Sequence, residues 1–235
     1  MPAPTSEIDP HDCLGATAFV DCGHRAVRAF VDRSLDGGGE DRREQAVALF
    51  RSVRDGFRYD PYITSQTRED FRASAVAATA SNWCVPKSVL LTAAFRAAGF
   101  PAALGFSDVR NHLQSEKLRE RMATDVFAWH GYTMVWLEQA AGAATGGWQK
   151  VSSAFNIELC ERFGTKVLDW DGTGDSLMHA FDTRGNRHME YVLDRGTYVD
   201  LPYDALQATF AELYPSFGDS SAAVADPMFD PPFNP

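Results

Sequence analysis

SNWCVPKSVLLTAAFRAAGFPAALGF, residues 81–106, sets a cysteine, Cys84, at the mouth of a helix. Ser81 and Asn82 carry side chains suited to capping a helix start. Pro86 fits the first turn, where a missing N–H leaves no bond unmade. Val89, Leu90, Ala93 and Ala94 recur at helical spacing and give the helix an apolar face. Gly99 stops it, and Phe100-Pro101-Ala102-Ala103-Leu104-Gly105-Phe106 reads as a short buried strand.

A cysteine placed there has two chemical advantages. The first N–H groups of a helix have no partner inside it, so they and the helix dipole favour thiolate over thiol. The same N–H groups can receive an oxyanion that develops as a carbonyl is attacked. Lys87 adds positive charge in the first turn or faces solvent. The commonest fate of a free cysteine is nevertheless that of a small buried hydrophobe, so position alone does not make Cys84 a nucleophile. A nucleophile needs a base. Phe127-Ala128-Trp129-His130-Gly131-Tyr132 offers His130, at the mouth of a β-rich segment and flanked by aromatic rings.

Upstream, Ala26 to Phe57 reads as helix interrupted by Asp36-Gly-Gly-Gly-Glu40, and Phe71 to Ala80 as a short Ala-rich helix. Downstream, Asn111 to Arg121 reads as a charged surface helix. Thr133–Leu137 and Trp148–Val151 read as an antiparallel hairpin joined by the small residues of Gln139 to Gly147. Ile157 to Phe163 reads as another helix and Met189 to Val192 as another strand. No repeat or linker divides the chain. We expect one domain over residues 1–217 and a Pro-rich extended or mobile tail over 218–235.

The totals narrow the function. The 235 residues are 45% hydrophobic and 12% aromatic, enough for a substantial core. The net charge of −10 repels phosphate backbones and anionic lipid, so neither nucleic acid nor membrane is an expected partner. No apolar run approaches a membrane span, and the polar start MPAPTSEIDPHD lacks the pattern of a secretory signal. The expected location is cytoplasmic, with Cys13, Cys22, Cys84 and Cys160 reduced. Their spacing suggests no zinc site, and no nucleotide or haem signature implies a cofactor.

The order of these parts resembles the transglutaminase-like fold of the papain superfamily. The matching text is Asn82-Trp83-Cys84, then Phe95-Arg-Ala-Ala-Gly99-Phe-Pro101, then Trp129-His130, then Gly147-Trp148-Gln-Lys-Val151, within Val47 to Ser153. The resemblance implies an α+β domain, with N-terminal helices and the nucleophile helix packed on an antiparallel sheet. It also implies a Cys-His-Asp triad that passes an acyl group through a thioester, with Cys84 as nucleophile and His130 as base. Where the family has its Asp, this chain has Ser152, which can orient an imidazole but cannot balance an imidazolium. Asn156, four residues on, is the choice for the third catalytic position, since papain-like enzymes use an Asn there; Asp171 is a further candidate.

Asp169 to Asp200 is rich in acids and histidines. Asp169-Trp-Asp171-Gly-Thr-Gly-Asp175 resembles the start of a calcium loop, but Ala180 stands where the bidentate Glu is needed, so an Asp/Gly turn is the better reading. Asp175, His179, Asp182, His188 and Glu190 match no metal-ligand spacing and are expected in a cleft wall or in ion pairs. Three readings result: a cysteine hydrolase or acyltransferase acting on a peptide, protein or small amide; a catalytically weakened module that binds a peptide or protein partner; and, well below these, a metal hydrolase built on His179 and His188.

Overall fold

The computed structural model describes residues 8–63, 67–138, 146–214, 226, 228 and 229. The broken helix resolves into α1 (Arg25–Leu35) and α2 (Arg42–Gly56), as the Gly-rich interruption predicts. Each start is capped: the His24 ring accepts from the Ala26 N–H and the Asp41 carboxylate from the Glu44 N–H. After β1 (Arg58–Tyr59) and the short α3 (Ala73–Val76), β2 (Ser81–Asn82) pairs in parallel with β1. Ser81 and Asn82 are therefore strand residues and do not cap the next helix. Its N-cap is Trp83, which makes no side-chain capping bond.

That helix, α4 (Cys84–Ala97), is the centre of the molecule. Helices α1, α2 and α3 pack on it from one side, and the strands β3 (Ala102–Asn111) and β4 (Val126–Leu137) from the other. Every residue from Cys84 through Arg96 is consequently buried, so the helix has no solvent face. Its polar residues are bonded inside. The Arg96 guanidinium donates to the carbonyls of Gly15, Ala102 and Val199, and the Thr92 and Thr133 hydroxyls join helix to sheet at 3.2 Å.

The sheet is fully antiparallel in the order β5-β4-β3-β6, with β5 at Gly147–Val151 and β6 at Met189–Tyr198. The expected hairpin is the β4–β5 pair, with Trp136 opposite Trp148. Most of its connection, 139–145, lies outside the described residues. Strands β3 and β6 extend beyond the short runs the sequence marks. In β3, Asp108 and Arg110 interrupt the apolar text but are held by strand pairing, Arg110 with both β4 and β6 and Asp108 with β6 alone. The charged excursion is helical only over α5 (Glu116–Met122), because β3 continues to Asn111. Helix α6 spans Ile157–Phe163, and α7 (Tyr203–Leu213) has no counterpart in the sequence reading. No helix among the described residues is long and apolar enough to cross a membrane.

Candidate active site

Cys84 stands at the first position of α4 and is 7% exposed. The backbone N–H groups of Gly131, Val85 and Cys84 itself favour its thiolate. Burial nevertheless dominates and pushes the thiol up to about 11, against the pull of those N–H groups and of Lys87. The helix start pulls the thiol down as expected, and enclosure outweighs that pull. Lys87 contributes less charge than its position suggests. It is fully buried, its ammonium donates to the carbonyls of Arg54, Phe57 and Ala154 at 2.7–2.9 Å, and burial holds it down to about 7.

His130 stands on the sheet, one residue from a strand position that packs on the α4 start. It lies on β4 opposite Ser107 of β3, immediately before Gly131. Gly131 lets strand and helix touch: a Cβ there would fall 2.7 Å from Ser88 Oγ and 3.1 Å from Val85 Cα. This contact seats the His130-Gly131 peptide on the first turn of α4. His130 is 4% exposed, and burial alone lowers its imidazole to about 4. Its Nε2 has no hydrogen-bond partner.

The residue before His130 is strained. Trp129 has φ +58°, a left-handed conformation that bulky side chains rarely adopt, beside a β3 register shift between Ser107 and Val109. Three contacts hold it. Asp108 Oδ1 accepts the Trp129 N–H at 2.9 Å, the indole N–H donates to Thr209 at 3.0 Å, and Arg195, paired with Asp108, lies over the ring. Nothing in the sequence flags this bulge, although its effect is to set the direction from which His130 leaves the strand.

Burial raises the phenols of Tyr59, Tyr191 and Tyr214, and a charge on Cys84 would add to the raise in each. The Tyr191 ring meets His130 edge to face at 6.4 Å. Asn156 is buried at the start of α6. Its Oδ1 accepts the Tyr59 N–H at 3.1 Å and its Nδ2 donates to Glu158 at 2.6 Å, so its side-chain bonds run to these two groups and not to His130. Ser152 follows β5 directly; it is fully buried and its Oγ has no partner.

The other candidates are accounted for differently. The Asp171 carboxylate closes its own turn onto Thr173, while Asp169 pairs with Arg51 and Arg54. Asp175 accepts from the Lys150 N–H, and Asp182 is bonded to Arg184 and Asn186. His188 lies against Phe155 and Phe163. Among the described residues no three His, Cys, Asp or Glu side chains are grouped to hold a metal.

Cys84 thus heads the buried central helix, and His130 lies on the antiparallel sheet that packs against that helix. The sequence matches the transglutaminase-like superfamily over residues 29–153, more than half of the chain, and the chain belongs to that superfamily. No curated protein matches the sequence. Among solved structures it is similar to a candidate cysteine protease from Cytophaga hutchinsonii, at 12% identity and a TM-score of 0.49. The similarity covers 83% of this chain and 48% of that one, so this chain spans about half the length of its structural relative.

Proposed function

We propose that this chain is a cysteine hydrolase or acyltransferase that carries an acyl group on Cys84, with His130 as general base. The observation that carries this reading is the seating of the His130-Gly131 peptide on the start of α4, beside Cys84. Burial favours the neutral forms of both groups, thiol and imidazole. The free Nε2 lone pair takes the Sγ proton as sulfur attacks an amide or ester carbonyl. The negative charge then forming on the carbonyl oxygen is received by N–H groups of the α4 start. His130 returns the proton to the leaving amine or alcohol. Water or an amine, deprotonated by the same nitrogen, then cleaves the thioester and regenerates the thiol. Asn156 serves as a positioning residue: it fixes the Tyr59 backbone, and with it the wall beside Cys84.

The test is selective acylation. An activated ester should place one acyl group on Cys84, and none should form in Cys84→Ala. A second reading, a weakened module that binds a peptide or protein partner, is favoured by one observation. The family's Asp position holds Ser152, a buried hydroxyl that brings no charge to His130.

A further inference from the structure

A short piece of the chain's own C-terminal region is seated in a groove beside the Cys84 site, and the way it is held is that of a peptide ligand. Phe229 is 3% exposed, its ring in a cage of Tyr59 (6.3 Å between centroids), Tyr62 (5.8 Å) and Phe163 (5.9 Å). Three residues earlier, the carboxylate of Asp226, also 3% exposed, accepts from the Tyr62 hydroxyl at 2.7 Å and from Ser115 Oγ. The main chain between them is bound as well. Arg162 donates to the Met228 carbonyl at 2.7 Å, and Arg58 donates to the Phe229 carbonyl. The occupant keeps its shape with its own turn, the Phe229 N–H to the Asp226 carbonyl at 2.8 Å and the Met228 N–H to the Asp226 side chain at 3.0 Å.

Groove and active site share a wall. Tyr59 forms one side of the Phe229 cage, and on β1 it pairs with Asn82, two residues before Cys84. The contacts also define a recognition rule. Two arginines read main-chain carbonyls, which any peptide has. The hydroxyl pair reads a carboxylate, and the cage reads an aromatic ring three positions later. In a chain of net charge −10, a groove that spends two guanidinium groups on peptide carbonyls is a selective surface and not a general anion sink.

We propose that this groove is a peptide-binding site beside Cys84, that its ligands are peptides carrying an acidic residue and an aromatic residue at positions i and i+3, and that Asp226, Met228 and Phe229 are its internal occupants. Peptide binding itself stands apart from the proposed chemistry; the role of such peptides as substrates or competitors rests on it. Tethering gives the internal segment an effective concentration on the order of millimolar, so a free peptide competes poorly with it until it is loosened.

The experiment uses the full chain, unaltered and as the double variant Asp226→Asn/Phe229→Ala, with a fluorescein-labelled peptide VADPMFDP (residues 224–231) as probe. Fluorescence anisotropy should show at least ten-fold tighter binding to the double variant than to the unaltered chain. Unlabelled VADPMFDP should displace the probe, and a peptide with both anchor residues replaced by Ala should not. Bound peptide should also slow iodoacetamide alkylation of Cys84 in the double variant several-fold. Equal binding by the two chains, displacement by the anchorless peptide, or binding that leaves Cys84 alkylation unchanged would each overturn the proposal. Should the double variant unfold, Asp226→Asn alone replaces it, with the same readouts of binding and protection. If the peptide binds and protects while Cys84 takes no acyl group from an activated ester, the groove stands and the acyl-transfer reading falls.

Discussion

Gly131 packs against the α4 start beside Cys84, which ties the strand carrying His130 to the first turn of the helix carrying the cysteine. The contact depends on a missing side chain. A Cβ at position 131 would meet Val85 Cα at 3.1 Å, and a helix backbone packed on both sides cannot retreat from it. Gly131→Ala should destabilise the fold by about 1–3 kcal/mol, the usual effect of overpacking. It should also slow acylation of Cys84 by more than the stability loss explains. Urea unfolding and single-turnover acylation on the same preparation check both parts.

Lys87 predicts a pH signature. Its folded-state value is lowered to about 7 from the ordinary 10.5, so between those limits the unfolded chain holds the proton and the folded chain releases it. Stability from this group therefore rises with pH across that window and is flat below it. The Cys84 thiol, raised to about 11, acts in the opposite direction, and only above about pH 9. Measured between pH 7 and 9, the unaltered chain should gain up to about 1.4 kcal/mol per pH unit relative to Lys87→Met. A stability difference independent of pH would show that the buried amine does not titrate there.

Much of this was legible in the sequence, and the parts that were not share a cause. Cys84 at a helix start and His130 on a strand are visible because helix and strand signals are local, and the hairpin Thr133–Val151 is visible in its alternation and turn residues. The side-chain environment was not visible. Lys87 sits one turn from the cysteine and reads as a helpful charge, yet three carbonyls from distant segments claim it. The helix dipole reads as lowering the Cys84 thiol, yet enclosure by two layers outweighs it. Asn156 falls in the right neighbourhood by strand spacing, but the chain turns into α6 at that residue and its side chain goes to Tyr59 and Glu158. Such outcomes depend on contacts between residues far apart in sequence, which periodicity does not encode.

Ser152 and Asn156 should separate in a stability measurement. Asn156→Ala leaves the buried Tyr59 N–H without an acceptor and should cost about 1–3 kcal/mol. Ser152→Ala removes a buried hydroxyl that has no partner and should be neutral or stabilising by up to about 1 kcal/mol. Thermal or urea unfolding of the two variants decides this without any substrate.

The strained Trp129 should depend on its anchor. Asp108→Ala removes the acceptor of the Trp129 N–H and strips Arg195 of its carboxylate, and should cost about 3 kcal/mol. Because the bulge aims His130, the same variant should lower the rate of Cys84 acylation at saturating ester, a loss that Asp108→Asn partly restores by keeping the acceptor. Matching loss in both variants would remove Asp108 from the positioning of His130.

The central claim is that Cys84 carries an acyl group with His130 as its base, and intact-mass spectrometry with peptide mapping after incubation with p-nitrophenyl acetate tests it most directly. A single acetyl group should appear on Cys84, be absent in Cys84→Ala, and form at least about 100-fold more slowly in His130→Ala, the lower end of what a positioned general base supplies. Cys84→Ala should remain folded, since the change removes only one sulfur atom from the core. Acetylation spread over lysines with Cys84 unmodified, or acylation of Cys84 at an unchanged rate in His130→Ala, would contradict the account.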